Sequence, residues 1–120
     1  MNAYDIFNTK LREFADDLIE ACPEVRGFVQ MRTAIDISVA LDRRMLQQYF
    51  SRYVKPYERH IQDEDEAFFL GHEYRGVSVD ADIVQQVKAV WATLGPDSKR
   101  AIWNHFKLLL VLSNVCLKQE

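Results

Sequence analysis

Residues 3–23, AYDIFNTKLREFADDLIEACP, decide how this chain folds. Tyr4, Phe7, Leu11, Phe14 and Leu18 recur at intervals of three and four, with Asp5, Lys10, Arg12, Glu13, Asp16, Asp17 and Glu20 between them. At ~3.6 residues per turn the first set shares one face, so the stretch predicts an amphipathic helix of about four to five turns. Pro23 ends it, because the residue before a proline disfavours helical backbone. Pro23 is also suited to the first position of the helix that follows.

The same period continues outward from this helix. A second helix is expected from Pro23 to Arg32, with Val25, Phe28 and Val29 as its apolar face and Gly27 weakening it by about 1 kcal/mol. A third, capped by Asp36 or Ser38, runs to Val54 and turns Val39, Leu41, Met45, Leu46, Tyr49, Phe50 and Tyr53 inward. Pro56 breaks it and opens a fourth that reaches Leu70, with Tyr57, Ile61 and Phe68 on one side. Residues 71–79 read as a loop, and Asp80 caps a fifth helix defined by Ile83, Val84, Val87, Val90, Trp91 and Leu94. Gly95 and Pro96 stop that helix, and Asp97 or Ser98 caps a sixth that runs to Leu117.

The sixth helix contains Leu108 to Leu112, five apolar residues in a row that advance about 500° around its axis. A helix apolar on every side must be covered on every side. It is expected either at the centre of the bundle or with one face on a second copy of the chain, and Leu110 and Val111 are its candidate contact residues. The expected fold is therefore all-α: one compact domain over 1–120, of five or six helices, with the apolar C-terminal helix at its centre. Tyr4, Phe7, Phe14, Phe50, Phe68, Trp91, Trp103 and Phe106 are its expected large core members.

Composition narrows the function classes. Of 120 residues, 48% are hydrophobic and 28% charged, a globular balance rather than a disordered one. Four Gly and three Pro are too few for a turn-rich β-sandwich, and a net charge of −3 disfavours broad nucleic-acid binding. No apolar run approaches the ~20 residues of a membrane span. The first residues, Met1 to Asp5, lack the basic start of a secretory signal. An intracellular, reducing location is expected, with Cys22 and Cys116 as free thiols in the core.

The richest polar stretch is Glu58 to Glu66. On a helix His60 would share a face with Asp63 and Glu64, an arrangement that suits a divalent cation or a small enzyme site. The chain has no Glu-x-x-His pair of the carboxylate-bridged bundles, and an EF-hand begun at Asp63 would place Phe68 where Gly is required. A solvated acidic face, with its carboxylates paired to Arg or Lys elsewhere in the chain, is the plainer expectation, with no metal or cofactor. The histidines, His60, His72 and His105, lack zinc spacing, and no Gly-x-Ser-x-Gly elbow or phosphate-binding glycine loop occurs. Arg52, Lys55 and Arg59 interleave with Tyr49, Tyr53 and Tyr57, a pattern that serves phosphate contact with base stacking in nucleic-acid binders.

Three stretches carry a resemblance. They are Leu11, Phe14, Asp17 and Leu18 before Cys22-Pro23-Glu24; Pro56, Ile61, Asp65-Glu66 and Phe68-Phe69; and Trp91, Leu94, Lys99, Ile102-Trp103 and Leu109. Together they resemble small all-helical proteins of unassigned function from large DNA viruses of protists and algae. Those proteins carry Phe before the Pro-Glu step, where Cys22 stands here. The resemblance implies a compact helical protein placed in a host cell's cytoplasm or nucleus or in a virion, and it brings no catalytic residue. The expected function is a non-enzymatic protein–protein interaction or scaffold module, with a possible homodimer, contacted through Leu110, Val111, Glu64, Arg52 and Lys55. The alternatives are a metal site or enzyme at His60 and its carboxylates, and a nucleic-acid binder at Arg52, Lys55 and Arg59.

Overall fold

In the first helix, α1 (Ala3–Ala21), Asn2 accepts a hydrogen bond on its side-chain oxygen from the Asp5 amide at 3.0 Å and satisfies one of the free donors of the first turn. The periodic face read from the sequence is the buried one: Tyr4, Phe7, Phe14 and Leu18 are all in the core. The computed structural model describes residues 2–71 and 88–118. Every regular element among them is helical. The Cα radius of gyration is 13.9 Å, close to the about 13.6 Å of a compact chain this long.

The second helix, α2 (Arg26–Leu41), differs from expectation at both ends. Pro23 lies in a reverse turn instead of opening the helix; the Val25 amide donates to the Cys22 carbonyl at 3.0 Å, and the chain folds back along α1. The helix also runs through Asp36 and Ser38, the two proposed caps. Asp36 is occupied on the helix surface, where Arg12 of α1 donates to it at 3.0 Å and Arg32 also binds it. The break falls at Asp42, whose carboxylate accepts from the Arg44 amide at 2.9 Å and closes a side-chain turn. Asn8, buried on α1, donates to the Arg43 carbonyl at 2.8 Å and holds that turn in place. Then α3 (Met45–Tyr53) begins.

The expected helix from Pro56 to Leu70 is divided. A 3-10 turn (Lys55–Tyr57) leads into α4 (Glu58–Gln62), a turn over 63–65, and α5 (Glu66–Gly71). The loop at 71–79 is described only at Gly71; the Asp80 cap, Ile83, Val84, Val87 and His72 lie outside the described residues. Residues 88–91 are helical. The last helix, α6 (Pro96–Lys118), starts with Pro96 itself at its first position, where a missing amide costs nothing, and the Lys99 amide donates to the Gly95 carbonyl at 3.1 Å.

Helix α1 packs on α2, α3 and α6, and α3 and α4 also pack on α6. Phe7 meets Phe50 edge-on at 5.4 Å and joins α1 to α3, while Phe14 meets Phe106 at 5.2 Å and joins α1 to α6. Trp91 and Trp103 cross at 5.7 Å, both beside Phe69. Phe28, Leu109 and Leu110 are as deeply buried as the expected aromatics, whereas Phe68 and Phe106 are only half-buried. Both cysteines are free and buried. Gln47 of α3 is fully buried and donates to Ser113 of α6, to its hydroxyl at 3.0 Å and its carbonyl at 3.3 Å.

Of the two expected arrangements of α6, the helix wrapped on every side by its own chain is not the one seen. Ile102, Trp103, Leu109, Leu110, Ser113 and Cys116 are buried, but Leu108, Val111, Val115 and Leu117 are exposed. The helix has an inner and an outer side, and both are apolar.

Candidate functional site

The outer side of α6 is ordered. Ala101, Asn104, Leu108, Val111, Val115 and Lys118 follow one another at intervals of three, four, three, four and three, and each is exposed. That is the a/d spacing of a helix-pairing seam. Leu108 is 39% exposed, Val111 56% and Val115 41%, which is far from the burial such residues usually find. From Ala101 to Val115 the seam runs about 21 Å at ~1.5 Å per residue. Asn104 sits near one end as the seam's polar member, the kind of residue that fixes register when two helices pair. Leu110, expected as a contact residue, is 1% exposed and belongs to the core; Val111, one residue on, faces outward.

Glu64, one of the candidate contact residues, is paired within the chain to basic groups, as expected for this acidic stretch. Its carboxylate accepts from Lys107 Nζ and from Arg100 Nη1 at 3.2 Å, both on α6. Its backbone is left-handed, φ 51°, which costs an L-residue on the order of 1 kcal/mol. The two ion pairs hold it there, and the turn over 63–65 is thereby pinned to α6. The neighbouring Asp65 caps α5: its Oδ1 accepts from the Phe68 amide at 3.0 Å and its Oδ2 lies 3.1 Å from His60 Nδ1. The His60 ring stacks flat on Phe68 at 3.6 Å. His60, Asp65 and Phe68 thus form a local clasp, and among the described residues no group of three or more His, Cys, Asp or Glu is placed to hold a metal ion.

This clasp predicts an acid response. The Lys107 and Arg100 charges hold the Glu64 carboxyl below its ordinary range, the Lys107 hydrogen bond most of all. The Phe68 amide, and after it His60, does the same for Asp65. A carboxyl with its folded pKa below the unfolded value stabilises the fold fully above that unfolded value, about 4, and the contribution drains as pH falls toward the folded one. The thermal midpoint is expected to hold between about pH 7 and about pH 5, then to drop below about pH 4.5. Circular dichroism melts check this, and Glu64→Gln should make the acid drop shallower. A loss concentrated between about pH 7 and about pH 9 would contradict it.

The basic patch is divided as well. Arg52 is exposed and lies 5.4 Å from the Tyr53 ring, and Lys55 is half-buried in the 3-10 turn. Tyr49 and Tyr53 pack on one another at 4.6 Å, and Tyr57 tilts against Phe68 at 5.9 Å, so these rings are committed to neighbours.

A small pocket gathers Asp17, Cys22 and His105 from α1, its C-terminal end and α6. His105 Nε2 lies 2.9 Å from Asp17 Oδ2, and its ring stacks on Phe14 at 4.9 Å. Burial, with Glu24 nearby, pushes the Cys22 thiol up from its ordinary value, the opposite of what an attacking thiolate needs.

A second, larger cavity of about 270 Å³ lies between α1, α2, α3, α5 and α6, walled by Phe14, Phe28, Leu46, Phe69, Trp91 and Trp103 among others. Protein interiors contain few voids larger than a water molecule. Trp91, one of the lining residues, has an indole Nε1 that is buried away from this space and has no hydrogen-bond acceptor among the described residues. Sequence periodicity marked Trp91 and Trp103 as core but carried no sign of the space between the helices.

No described helix is long and apolar enough to cross a membrane. No family model matches the chain, and no curated protein or solved structure matches it either.

Proposed function

We propose that this protein is a non-enzymatic helical interaction module that docks an amphipathic helix along the outer seam of α6. The observation that carries the reading is the heptad spacing of Ala101, Asn104, Leu108, Val111 and Val115, all exposed on one side of a helix whose other side is core. Covering such a seam removes apolar surface worth ~25 cal/mol per Å² from water, and the register is set by Asn104. A second copy of α6 is one such helix, and a homodimer through this seam is the first partner to test. The resemblance to small helical proteins of large DNA viruses is compatible with an accessory or structural role inside an infected cell.

Photocrosslinking tests the reading. A photoreactive residue placed at Leu108 or at Val111 should give a discrete adduct, either a doubled chain or one heterologous protein. The same residue at Lys10, on the polar face of α1, should give none. Val111→Glu should abolish the Leu108 adduct while circular dichroism shows an unchanged fold. Equal adducts at Lys10 and Leu108, or adducts insensitive to Val111→Glu, would sink the seam as the contact.

A further inference from the structure

We infer that the outer side of α3, the 3-10 turn and α4 is a phosphate-binding surface for duplex nucleic acid, contacted through Arg52, Lys55 and Arg59 without reading of the bases. It uses none of the residues of the α6 seam and stands independently of that docking role.

Three observations converge on this partner. The first is where the chain leaves its cations unpaired. Lys10, Arg12, Arg32, Lys99, Arg100 and Lys107, on α1, α2 and α6, each hold an ion pair with Asp or Glu. Arg52, Lys55 and Arg59 hold none among the described residues, and they follow one another at intervals of three and four. Residues 43–62 contain five Arg and Lys against a single acid, Glu58, in a chain whose net charge is −3; Asp42 and Asp63 lie just outside. Glu58 is half-buried. At physiological salt exposed charges act over about 8 Å, so this local excess, more than the chain's total, sets the field that an approaching anion meets.

The second is shape. Val54 and Glu58 keep right-handed backbone where one element passes into the next, so the chain from Met45 to Gln62 runs on without a reversal. Gln48, Arg52, Arg59 and Gln62 are exposed along it, and Lys55 is half-buried. From Arg52 to Arg59 the rise is about 11 Å at ~1.5 Å per residue, a length in which one strand of a duplex places about three phosphates at ~3.4 Å each. The third selects among anionic partners. No large apolar side chain is exposed from Leu46 to Gln62. The surface therefore lacks the apolar anchor on which a protein interface centres and the apolar wedge by which a helix enters a membrane. Tyr49 and Tyr53 pack on one another and Tyr57 on Phe68, so no ring is offered to stack an unpaired base. Cations and amide donors remain, and a duplex backbone accepts from both without regard to sequence.

Fluorescence anisotropy with a short labelled DNA duplex of mixed sequence tests this on the full chain. Three contacts give log affinity a slope of about −2.7 against log salt, so wild-type binding should weaken about 40-fold between ~50 and ~200 mM salt. In Arg52→Gln and in Arg59→Gln the loss over that range should shrink to about 12-fold, and affinity at ~50 mM should itself fall. Circular dichroism should be unchanged, because both side chains are exposed. Arg26→Gln, which removes the same charge from the start of α2, should leave both binding values as they were. A single strand of the same sequence, poly-glutamate and phosphatidylserine vesicles should each bind more weakly than the duplex. No duplex binding at ~50 mM salt, or a salt dependence that Arg52→Gln and Arg59→Gln leave unchanged, would overturn the proposal. Tighter binding of poly-glutamate or of vesicles would overturn it in favour of an acidic protein or a membrane, and tighter binding of the single strand in favour of a stacking site.

Discussion

Replacing Leu110 by Glu unfolds the protein, and replacing its neighbour Val111 by Glu leaves it folded. The two residues are 1% and 56% exposed on the same helix, about 100° apart around its axis. Glu at 110 would place a carboxylate within the apolar core cluster to which Leu110 belongs. An unpaired buried charge costs several kcal/mol, and the lost leucine packing adds a further ~2–5 kcal/mol, together a large part of a domain's ~5–15 kcal/mol. Glu at 111 meets water and has a higher helix propensity than Val, so its effect on monomer stability should lie within about 0.5 kcal/mol of zero. Circular dichroism melts of the two variants decide it. A cooperative, near-native melt for Leu110→Glu, or loss of helix in Val111→Glu, would mean that the inner and outer sides of α6 are assigned wrongly.

Truncating Phe7 to Ala should cost about 3–5 kcal/mol, the range for a fully buried phenylalanine. Phe7 is 0% exposed and meets Phe50 edge-on, so its removal opens a void at the contact of α1 with α3 and deletes the ring pair as well. Phe7→Leu keeps most of the volume and should cost less than half as much. In urea denaturation the midpoint of Phe7→Ala should fall with the slope unchanged, since the surface exposed on unfolding is nearly the same. A loss under about 1 kcal/mol would show that the two helices are not joined there.

The all-α class and the inward face of α1 were legible because one side of that helix is apolar and the other charged. Nothing comparable marked the ends of α2. Its start depends on a turn closed by backbone groups of Cys22 and Val25, and its end on Asp42 reaching the Arg44 amide, whereas Asp36 offered the same side chain earlier and is drawn off by Arg12 and Arg32 across the helix surface. Local sequence offers several carboxylates as punctuation, and tertiary partners choose among them. The division of Pro56 to Leu70 depends on Glu64 taking a left-handed backbone, which its own propensity opposes and two charges on α6 compensate. The seam on α6 was hidden for a different reason: with Leu108 to Leu112 apolar throughout, the period of the outer side is superposed on that of the inner one, and only burial separates them. The outward direction of Val111 and the inward direction of Leu110 could not be told apart from spacing alone.

That superposition poses a choice during folding. Both sides of this helix are greasy, although the inner one, with Ile102, Trp103, Leu109 and Leu110, has more to bury than the outer one, with Leu108, Val111 and Val115. The contact of Gln47 with Ser113 tells the sides apart. Turned half a revolution about its axis, α6 would set Asn104 and Val111 where Ile102 and Leu109 now sit, carry the serine out to solvent and strand the Gln47 amide in a dry interior; slid one turn along its axis, it would strand both. Leaving such a group unsatisfied costs about 1–3 kcal/mol, a factor of roughly five to more than a hundred in population at 25 °C. The amide thus acts as a key that adds to this difference in packing and favours one orientation and one register of the last helix, and the other apolar side is left facing outward as a surface available to something other than this chain's own core.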